Sequence, residues 1–136
     1  MKPIFPTILF IECPDVALSD LKRGSNLTNN GWVIDCDRPT DNAYSANCGT
    51  ATWYGWKHGP EGSISATLKG SGKVTVSFGN CYSQGGVKAT LNGKLIRQAN
   101  AYQIIDTSFD YSSGDVLKLE EVGYSIIKLY SITFQC

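Results

Sequence analysis

Residues 62–94 read GSISATLKGSGKVTVSFGNCYSQGGVKATLNGK, and apolar side chains recur at every second position in three separate segments. Such alternation is typical of half-buried β-strands, because neighbouring side chains of a strand point to opposite faces of its sheet. Glycine-rich breaks separate the segments, so the pattern predicts three successive antiparallel strands. The residues predicted to face the core are Ile64, Ala66, Leu68, Val74, Val76, Phe78, Val87, Ala89 and Leu91.

Two breaks in this region are predicted to be hairpin connections. Asn92-Gly93 is the stronger signal, because a type I′ turn needs positive φ at both central positions and the pair Asn-Gly tolerates it. Residues 69–73, KGSGK, are predicted to form a second short hairpin loop between the first two strands.

Further strands are predicted on both sides of this region. Ile105, Thr107 and Phe109 alternate up to a turn at 112–115, and Leu117 and Leu119 follow on one face. In the last strand, the predicted shared face is formed by Tyr130, Ile132, Phe134 and Cys136. Upstream, strands are expected at 7–12, 32–34 and 50–56, and only residues 15–22 have the pattern of a helical turn.

The composition supports an all-β fold. Val, Ile and Thr total 28 of the 136 residues, whereas Ala, Glu and Met total 13, and β-branched side chains favour pleated sheets over helices. Eight or nine short strands predict one domain, residues 1–136, built as an antiparallel two-sheet β-sandwich of jelly-roll type. Loops should gather at the two ends of such a sandwich.

Charge and hydropathy exclude two classes of partner. Twelve basic and twelve acidic side chains give a formal net charge of zero, so no long-range field attracts nucleic acid. No window reaches the roughly 18 to 20 consecutive apolar residues that a membrane-spanning helix needs, so membrane insertion is not expected. Partners must therefore be recognised through local contacts.

Five cysteines in a short chain favour an oxidising compartment, and we expect a secreted protein. Among the possible connectivities we favour Cys36–Cys48, which encloses a short loop, and Cys81–Cys136, which joins two predicted strand ends. Cys13 is then left over, as a buried thiol in a monomer or as the link of a disulfide-bonded dimer. Metal binding through thiolates is not expected, because no C-x-x-C occurs and His58 is the only histidine.

Two N-terminal features bear on secretion. Residues 1–13, MKPIFPTILFIEC, make a poor signal peptide, because two prolines interrupt the apolar run and no small-residue cleavage site follows. We therefore expect the native leader to have been removed or replaced. Asn26-Leu27-Thr28 is an N-glycosylation acceptor sequence, although such tripeptides also occur by chance.

The loop 35–42, DCDRPTDN, is rich in oxygen ligands. Its aspartates and the amide of Asn42 suit a hard ion such as calcium. The alternative is an ordinary polar turn, because Asp, Asn, Pro and Thr are common turn residues and Arg38 opposes a cation. We expect no obligatory cofactor and retain calcium as the alternative.

The hexapeptide 53–58, WYGWKH, is the most unusual segment of the chain. Flat rings at a sheet or loop surface stack against the C–H faces of sugars, and Lys57, His58 or a nearby carboxylate can bind the hydroxyls. The alternative is that these rings fill the core. The predicted ligand-binding residues are Trp53, Tyr54, Trp56 and Tyr82 as stacking groups, with Asp37, Asp41 and Asn42 as polar groups. Tyr102, Tyr124 and Trp32 are further candidates at predicted strand ends.

No catalytic set accompanies these aromatics. A hydrolytic serine would have to use His58 as its base, and no G-x-S-x-G motif surrounds a serine. The four glutamates supply carboxylates for a glycosidase pair only in principle, and the chain is not expected to be an enzyme.

Three quoted segments, 62–68, 76–80 and 87–93, resemble the middle of galactose-binding-like β-sandwich modules, including the carbohydrate-binding modules attached to glycosidases. The first and last strands of those modules are similar to Ile11-Glu12 and to 132–134, so the resemblance covers roughly residues 7–136. The chain also resembles cysteine-bearing extracellular domains of aquatic eukaryotes. The resemblance implies a sandwich whose end loops bind sugar through aromatic side chains and an Asn or Asp.

These observations predict a non-catalytic, extracellular, lectin-like module that binds a glycan. The alternative is a structural or adhesive module of an extracellular matrix, coat or biomineral, which binds protein or a surface instead of sugar.

Overall fold

A computed structural model describes residues 31–36, 40–41, 44–45, 49–51, 53–57 and 61–135. All regular elements among these residues are β-strands. No helix in these ranges has the length and apolar character needed to cross a membrane. The strands are β1 (Trp32–Asp35), β2 (Thr40–Asp41), β3 (Tyr44–Ser45), β4 (Gly49–Thr50), β5 (Trp53–Gly55), β6 (Ser63–Thr67), β7 (Gly72–Asn80), β8 (Gly86–Leu91), β9 (Lys94–Ala99), β10 (Ile104–Tyr111), β11 (Val116–Val122) and β12 (Ile127–Gln135).

Within the residues that the structure describes, the strands form two five-stranded sheets and one two-stranded sheet. The first sheet has the order β1-β6-β11-β8-β9, and the second has the order β10-β7-β12-β5-β2, while β3 and β4 pair with each other. All the strand pairs are antiparallel. The predicted all-β, antiparallel two-sheet sandwich is confirmed.

The hydrophobic core lies between the sheets and is filled by alternate positions of their strands. Val76 and Phe78 face it from the second sheet, and Ile64 and Leu119 face it from the first, all fully buried. Burying each such side chain contributes roughly 1.5–3 kcal/mol. The predicted core positions of β6, β7 and β8 are confirmed, with Leu91 half-buried at the margin.

Consecutive strands mostly cross from one sheet to the other. From β5 onwards, only β8 and β9 are neighbours both along the chain and within a sheet. The hairpin predicted at 69–73 is therefore wrong, because β6 and β7 cover the same core from opposite sheets. Leu68 stays buried beside this crossover, and its backbone pairs with Asp115 and Gly114 of another loop at N···O distances of 2.7 and 2.8 Å.

The Asn92-Gly93 hairpin is confirmed. Both residues have positive φ, 53° and 81°, as a type I′ turn requires. The Asn92 side chain also fastens the turn to the first sheet, because its Nδ2 donates to Asp115 Oδ1 and its Oδ1 accepts from the Val116 N–H, each at 2.9 Å.

The face predicted for the last strand is partly wrong. A bulge between Leu129 and Ser131 inserts an extra residue into β12 relative to β7. Leu129 and Ile132 consequently both face the core, and Tyr130 is only half-buried. The prediction fails here because strict alternation of side chains assumes that the strand has no bulge.

Cys36 follows β1 as a thiol that packs against the margin of the core. Its Sγ donates a hydrogen bond to the carbonyl oxygen of Ser63 at 3.8 Å. The predicted Cys36–Cys48 disulfide is therefore wrong, because the end of β1 turns this side chain towards β6.

Cys81 is buried and disulfide-bonded. The predicted partner Cys136 lies outside the described residues, but its covalent neighbour Gln135 pairs with Lys73, at the other end of β7. Eight residues of strand span about 26 Å, whereas disulfide Cα atoms lie at most about 7 Å apart. The predicted Cys81–Cys136 pair is therefore wrong, because β7 and β12 are antiparallel and their C-terminal ends lie at opposite ends of the sheet.

Several predictions fall outside the described residues. They concern the strand at 7–12, the helical turn at 15–22 and the role of Cys13 as a buried thiol or dimer link. All three stay predictions.

Candidate functional site

A surface cavity of about 330 Å³ opens at the end of the sandwich where β5, β7 and β11 finish and β12 begins. We call it the loop-end cavity. Loops that come together from three distant parts of the chain surround it. It is lined by Trp56, Lys57, Tyr82, Glu121, Tyr124, Ser125 and Ile126.

Each of these three loops contributes one aromatic side chain. Trp56 directly follows β5 and is half-buried. Tyr82 follows β7 and is 39% exposed, and Tyr124 lies between β11 and β12 and is 58% exposed. The rings are therefore accessible to a ligand while their backbones are held by strand ends.

The structure brings together two of the four aromatic side chains predicted to bind ligand, Trp56 and Tyr82. Trp53 is only 1% exposed and lies in the core, so its predicted stacking role is wrong. The same holds for Trp32, a further candidate that is also 1% exposed. In β5 the pleat turns Trp53 inwards and Tyr54 outwards, which decides between the two faces that the sequence left open.

Tyr54 stands behind Trp56 and does not line the cavity. The two rings pack edge to face, with centroids 5.8 Å apart and planes at 73°. The ammonium Nζ of the buried Lys128 lies 5.6 Å from the centroid of Tyr54 and 5.9 Å from that of Tyr130. Burial lowers the pKa of Lys128 and raises the pKa of Tyr130 to about 12. These cation–π contacts hold the ring of Tyr54, which in turn packs against Trp56.

The predicted polar ligand residues cannot be placed in the cavity. Asp37 and Asn42 lie outside the described residues, as does His58. Asp41 belongs to β2 and pairs with Trp53, but its side chain is not described. Within the described ranges no group of three His, Cys, Asp or Glu side chains is arranged to hold a metal ion. Calcium binding by loop 35–42 stays a prediction.

Asn80 joins two of the loops that frame the cavity. Its buried side chain donates through Nδ2 to the carbonyl of Gln84 at 3.0 Å, and its Oδ1 accepts from the Ile126 N–H at 3.1 Å. The Cys81 N–H donates to the Ile126 carbonyl at 2.9 Å. The segments that carry Tyr82 and Tyr124 are therefore fixed relative to each other.

Gly85 lets the same two loops approach closely. Its φ is +71°, and a Cβ atom built on it would lie 2.2 Å from the Tyr124 carbonyl oxygen and 2.7 Å from that of Val122. No other residue type fits this position without moving the loop, because both the space and the left-handed backbone require glycine.

Glu121 forms the floor of the cavity and is 2% exposed. The backbone N–H groups of Lys57 and Gly62 donate to its Oε1 at 3.1 and 2.8 Å, and the Ser125 hydroxyl donates to its Oε2 at 3.3 Å. Burial raises the pKa of this carboxyl, and the hydrogen bonds act in the opposite direction. The carboxylate thus ties the β5–β6 loop to β11.

Lys57 adds a charge at the rim. Its Nζ lies 3.1 Å from Asp35 Oδ1 in an exposed ion pair. Because both groups are solvated, this pair contributes little to stability and serves mainly to orient the lysine.

Glu121→Gln is expected to change the pH dependence of folding. A folded-state pKa above its ordinary value of 4.5 gives a contribution that is fully present below that pH and is lost as pH rises through the folded pKa. Glutamine retains a carbonyl acceptor for Lys57 and Gly62 but does not titrate. Urea unfolding between about pH 4 and pH 8 should therefore show the variant gaining stability relative to wild type as pH rises.

Glu120→Gln is the matched control, because Glu120 is half-exposed on the outer face, 3.7 Å from Lys88 and 3.5 Å from Lys118. If the Glu121→Gln and wild-type curves stay parallel over this range, the buried carboxyl does not titrate as inferred.

The sequence predicts Tyr124 only as a further aromatic candidate and Glu121 only as a carboxylate for catalysis. A usable signal existed for Glu121. Leu117 and Leu119 face the core, and strict alternation places Glu121 on the same side of β11. An acidic residue on an inward face at a strand end indicates a buried polar site.

Comparison with known proteins shows that the fold of this chain is similar to parts of solved structures, at low sequence identity. No protein-family model matches the chain. No curated protein matches it either. Among solved structures, the secreted serine protease VesC from Vibrio cholerae is similar with a TM-score of 0.53 and 12% identity, over 75% of this chain and 25% of the protease. The chain thus spans about a quarter of that protein's length.

Two carbohydrate-binding modules are also similar. The family 35 module from Clostridium thermocellum has a TM-score of 0.48 and 13% identity, over 77% of this chain and 99% of the module. The CBM35 from Paenibacillus barcinonensis has a TM-score of 0.44 and 11% identity, over 77% and 98%. The likeness is one of fold. Both modules are of the class that the sequence resembles, and the resemblance to domains of aquatic eukaryotes stays a prediction.

Proposed function

We propose that this chain is a non-catalytic carbohydrate-binding module that takes a sugar into the loop-end cavity. The observation that carries the proposal is the lining of this cavity by Trp56, Tyr82 and Tyr124 from three separate loops. Small-molecule sites are concave and lined mainly by apolar and aromatic groups, with a few polar groups that fix orientation. A volume of about 330 Å³ lies at the small end of such sites.

The polar groups of the cavity complement a hydroxyl-rich ligand. The Lys57 ammonium lines the cavity beside the rings as a donor, and the Ser125 hydroxyl, whose hydrogen is donated to Glu121, offers its oxygen as an acceptor. Both oxygens of Glu121 already accept hydrogen bonds from the protein, which suits a structural carboxylate better than a catalytic acid. This supports binding without turnover.

We further propose that the protein works outside the cell, with a glycan or glycan-bearing surface as its partner. The disulfide at Cys81 supports an oxidising compartment, since such bonds are rare in reducing ones. Calcium remains a proposed, optional ligand of loop 35–42.

A glycan array probed with the purified chain, with calcium and with chelator, tests the proposal. Binding to one class of glycan is expected. A blank array under both conditions would contradict it and would favour the structural or adhesive module of a matrix, coat or biomineral.

Trp56→Ala is expected to weaken binding to the best array ligand by about 2 kcal/mol, roughly thirtyfold in Kd, because a central aromatic group carries much of the energy of a small site. Titration calorimetry measures this. Leu95→Ala is the matched control, because Leu95 is 59% exposed and lines a separate surface cavity of about 310 Å³ near the β8–β9 turn. Equal affinities of wild type and Trp56→Ala would contradict the proposed binding of sugar in the loop-end cavity.

A further inference from the structure

A further exposed aromatic residue, Tyr102, lies on the turn between β9 and β10, next to the loop that follows β7. Tyr102 is 47% exposed. Its N–H donates to the carbonyl oxygen of Tyr82 at 3.2 Å, so the two backbones are as close as neighbouring strands, about 5 Å apart. The turn that carries Tyr102 is therefore joined through its backbone to the loop that carries Tyr82, which lines the cavity.

The turn that carries Tyr102 is held firmly. The Gln103 N–H donates to the Asn100 carbonyl at 3.0 Å, and the Asn100 N–H donates to Gln103 Oε1 at 2.7 Å. The Asn80 N–H donates to the Gln103 carbonyl at 3.1 Å. Gly79 permits this docking, because a Cβ built on it would lie 2.4 Å from the same carbonyl oxygen.

The backbone of Tyr102 is strained although the residue is exposed. Its φ is +55°, in the left-handed region that disfavours bulky side chains and suits glycine. Its ring makes no aromatic pair with the described residues, in contrast to Tyr54 and Tyr111. Strain of this kind, kept at an exposed position, points to a role in binding.

The chemistry around Tyr102 selects the kind of ligand. Residues 98–104, QANAYQI, contain no charged side chain. Gln98, Asn100 and Gln103 are exposed amides, and Gln98 Nε2 donates to Asn100 Oδ1 at 3.3 Å. Amides offer both donors and acceptors, which match hydroxyl groups, whereas nothing in this segment attracts an ionic group.

We propose that the site extends from the loop-end cavity across Tyr82 to Tyr102 and binds a neutral, linear oligosaccharide of at least two units. One sugar occupies the cavity, and the next stacks on Tyr102 and bonds to the neighbouring amides. This inference rests on the proposed carbohydrate-binding function. It adds the length and the neutrality of the ligand.

The test is a calorimetric titration of the array ligand as mono-, di- and trisaccharide against wild type and two variants. Wild-type affinity should rise with length. In Tyr102→Gly, the increase in affinity from mono- to trisaccharide should be roughly tenfold smaller than in wild type, which is the loss expected for one stacking ring. Tyr102→Phe should retain the gain, because the ring remains. Tyr102→Gly should also melt no lower than wild type, since glycine relieves the positive φ.

Two results would overturn the extended site while leaving the cavity as a sugar site. One is equal wild-type affinity for all three lengths, and the other is a length-dependent gain that survives in Tyr102→Gly. A charged glycan bound in preference to its neutral counterpart would contradict the inferred neutrality. If Trp56→Ala leaves the affinity for every length unchanged, or no saccharide binds at all, the proposed function itself falls, and the extended site with it.

Discussion

Trp53→Ala is expected to lower the free energy of unfolding by about 3–5 kcal/mol, the usual cost of deleting a fully buried large aromatic side chain. Trp53 is 1% exposed and lies in β5, paired with Leu129 of β12 on one side and with Asp41 of β2 on the other. The vacated volume would open the core beneath the loops of the binding site. Urea or thermal unfolding measures the loss.

Trp56→Ala supplies the comparison from the same segment of chain. Because Trp56 is half-buried at the rim, its removal should change stability by about 1 kcal/mol or less while removing most of the glycan affinity. The two tryptophans, three residues apart, should thus separate folding from binding. Similar losses of stability in both variants would contradict the assignment of one ring to the core and the other to the cavity.

Gly85→Ala is expected to weaken glycan binding at least tenfold, although Gly85 has no side chain to contact a ligand. The added methyl group would collide with the carbonyl oxygens of Tyr124 and Val122. The loop that carries Tyr82 must then move away from the loop that carries Tyr124, and the cavity between them loses its shape. Calorimetric titration and thermal unfolding should be measured on the same sample.

Gly93→Ala separates this collision from backbone strain. Gly93 also has positive φ, +81°, but a Cβ built on it meets nothing within 4 Å. Both variants should lose about 1–2 kcal/mol of stability from the left-handed backbone, and only Gly85→Ala should lose affinity. Unimpaired binding by Gly85→Ala would mean that the approach of these two loops does not shape the site.

The faces of individual strands were predictable from the sequence, but the partners of the strands were not. Alternation placed Val74, Val76 and Phe78 in the core because a strand's period is a local property. The same alternation is produced whether β6 and β7 are neighbours in one sheet or lie in opposite sheets, so the sequence alone does not distinguish the crossover at 69–73 from a hairpin. The hairpin at Asn92-Gly93 was predictable because the positive φ angles of its turn depend on these two residues alone.

The candidate site was predictable only in part, for a similar reason. The sequence shows that Trp53 and Tyr54 lie on opposite faces of β5, but alternation alone does not say which of the two faces the core. The grouping of Trp56, Tyr82 and Tyr124 depends on three loops that are distant in the chain. The disulfide at Cys81 was misassigned because the antiparallel register of β7 and β12, which separates Cys81 from Gln135, has no local signature.

The repeated crossing of the chain between the two sheets has a kinetic consequence. Almost every connection from β5 to β12 must close across the sandwich before either sheet is complete, so most of the native pairing joins segments that are remote in sequence. Domains of high contact order fold in milliseconds to seconds, because the entropy of loop closure is lost before distant pairing compensates for it. The β8–β9 hairpin is the exception, since its turn needs no distant partner to form. Among β5 to β12 we therefore expect this hairpin to form early, before the three loops of the binding site reach their final arrangement.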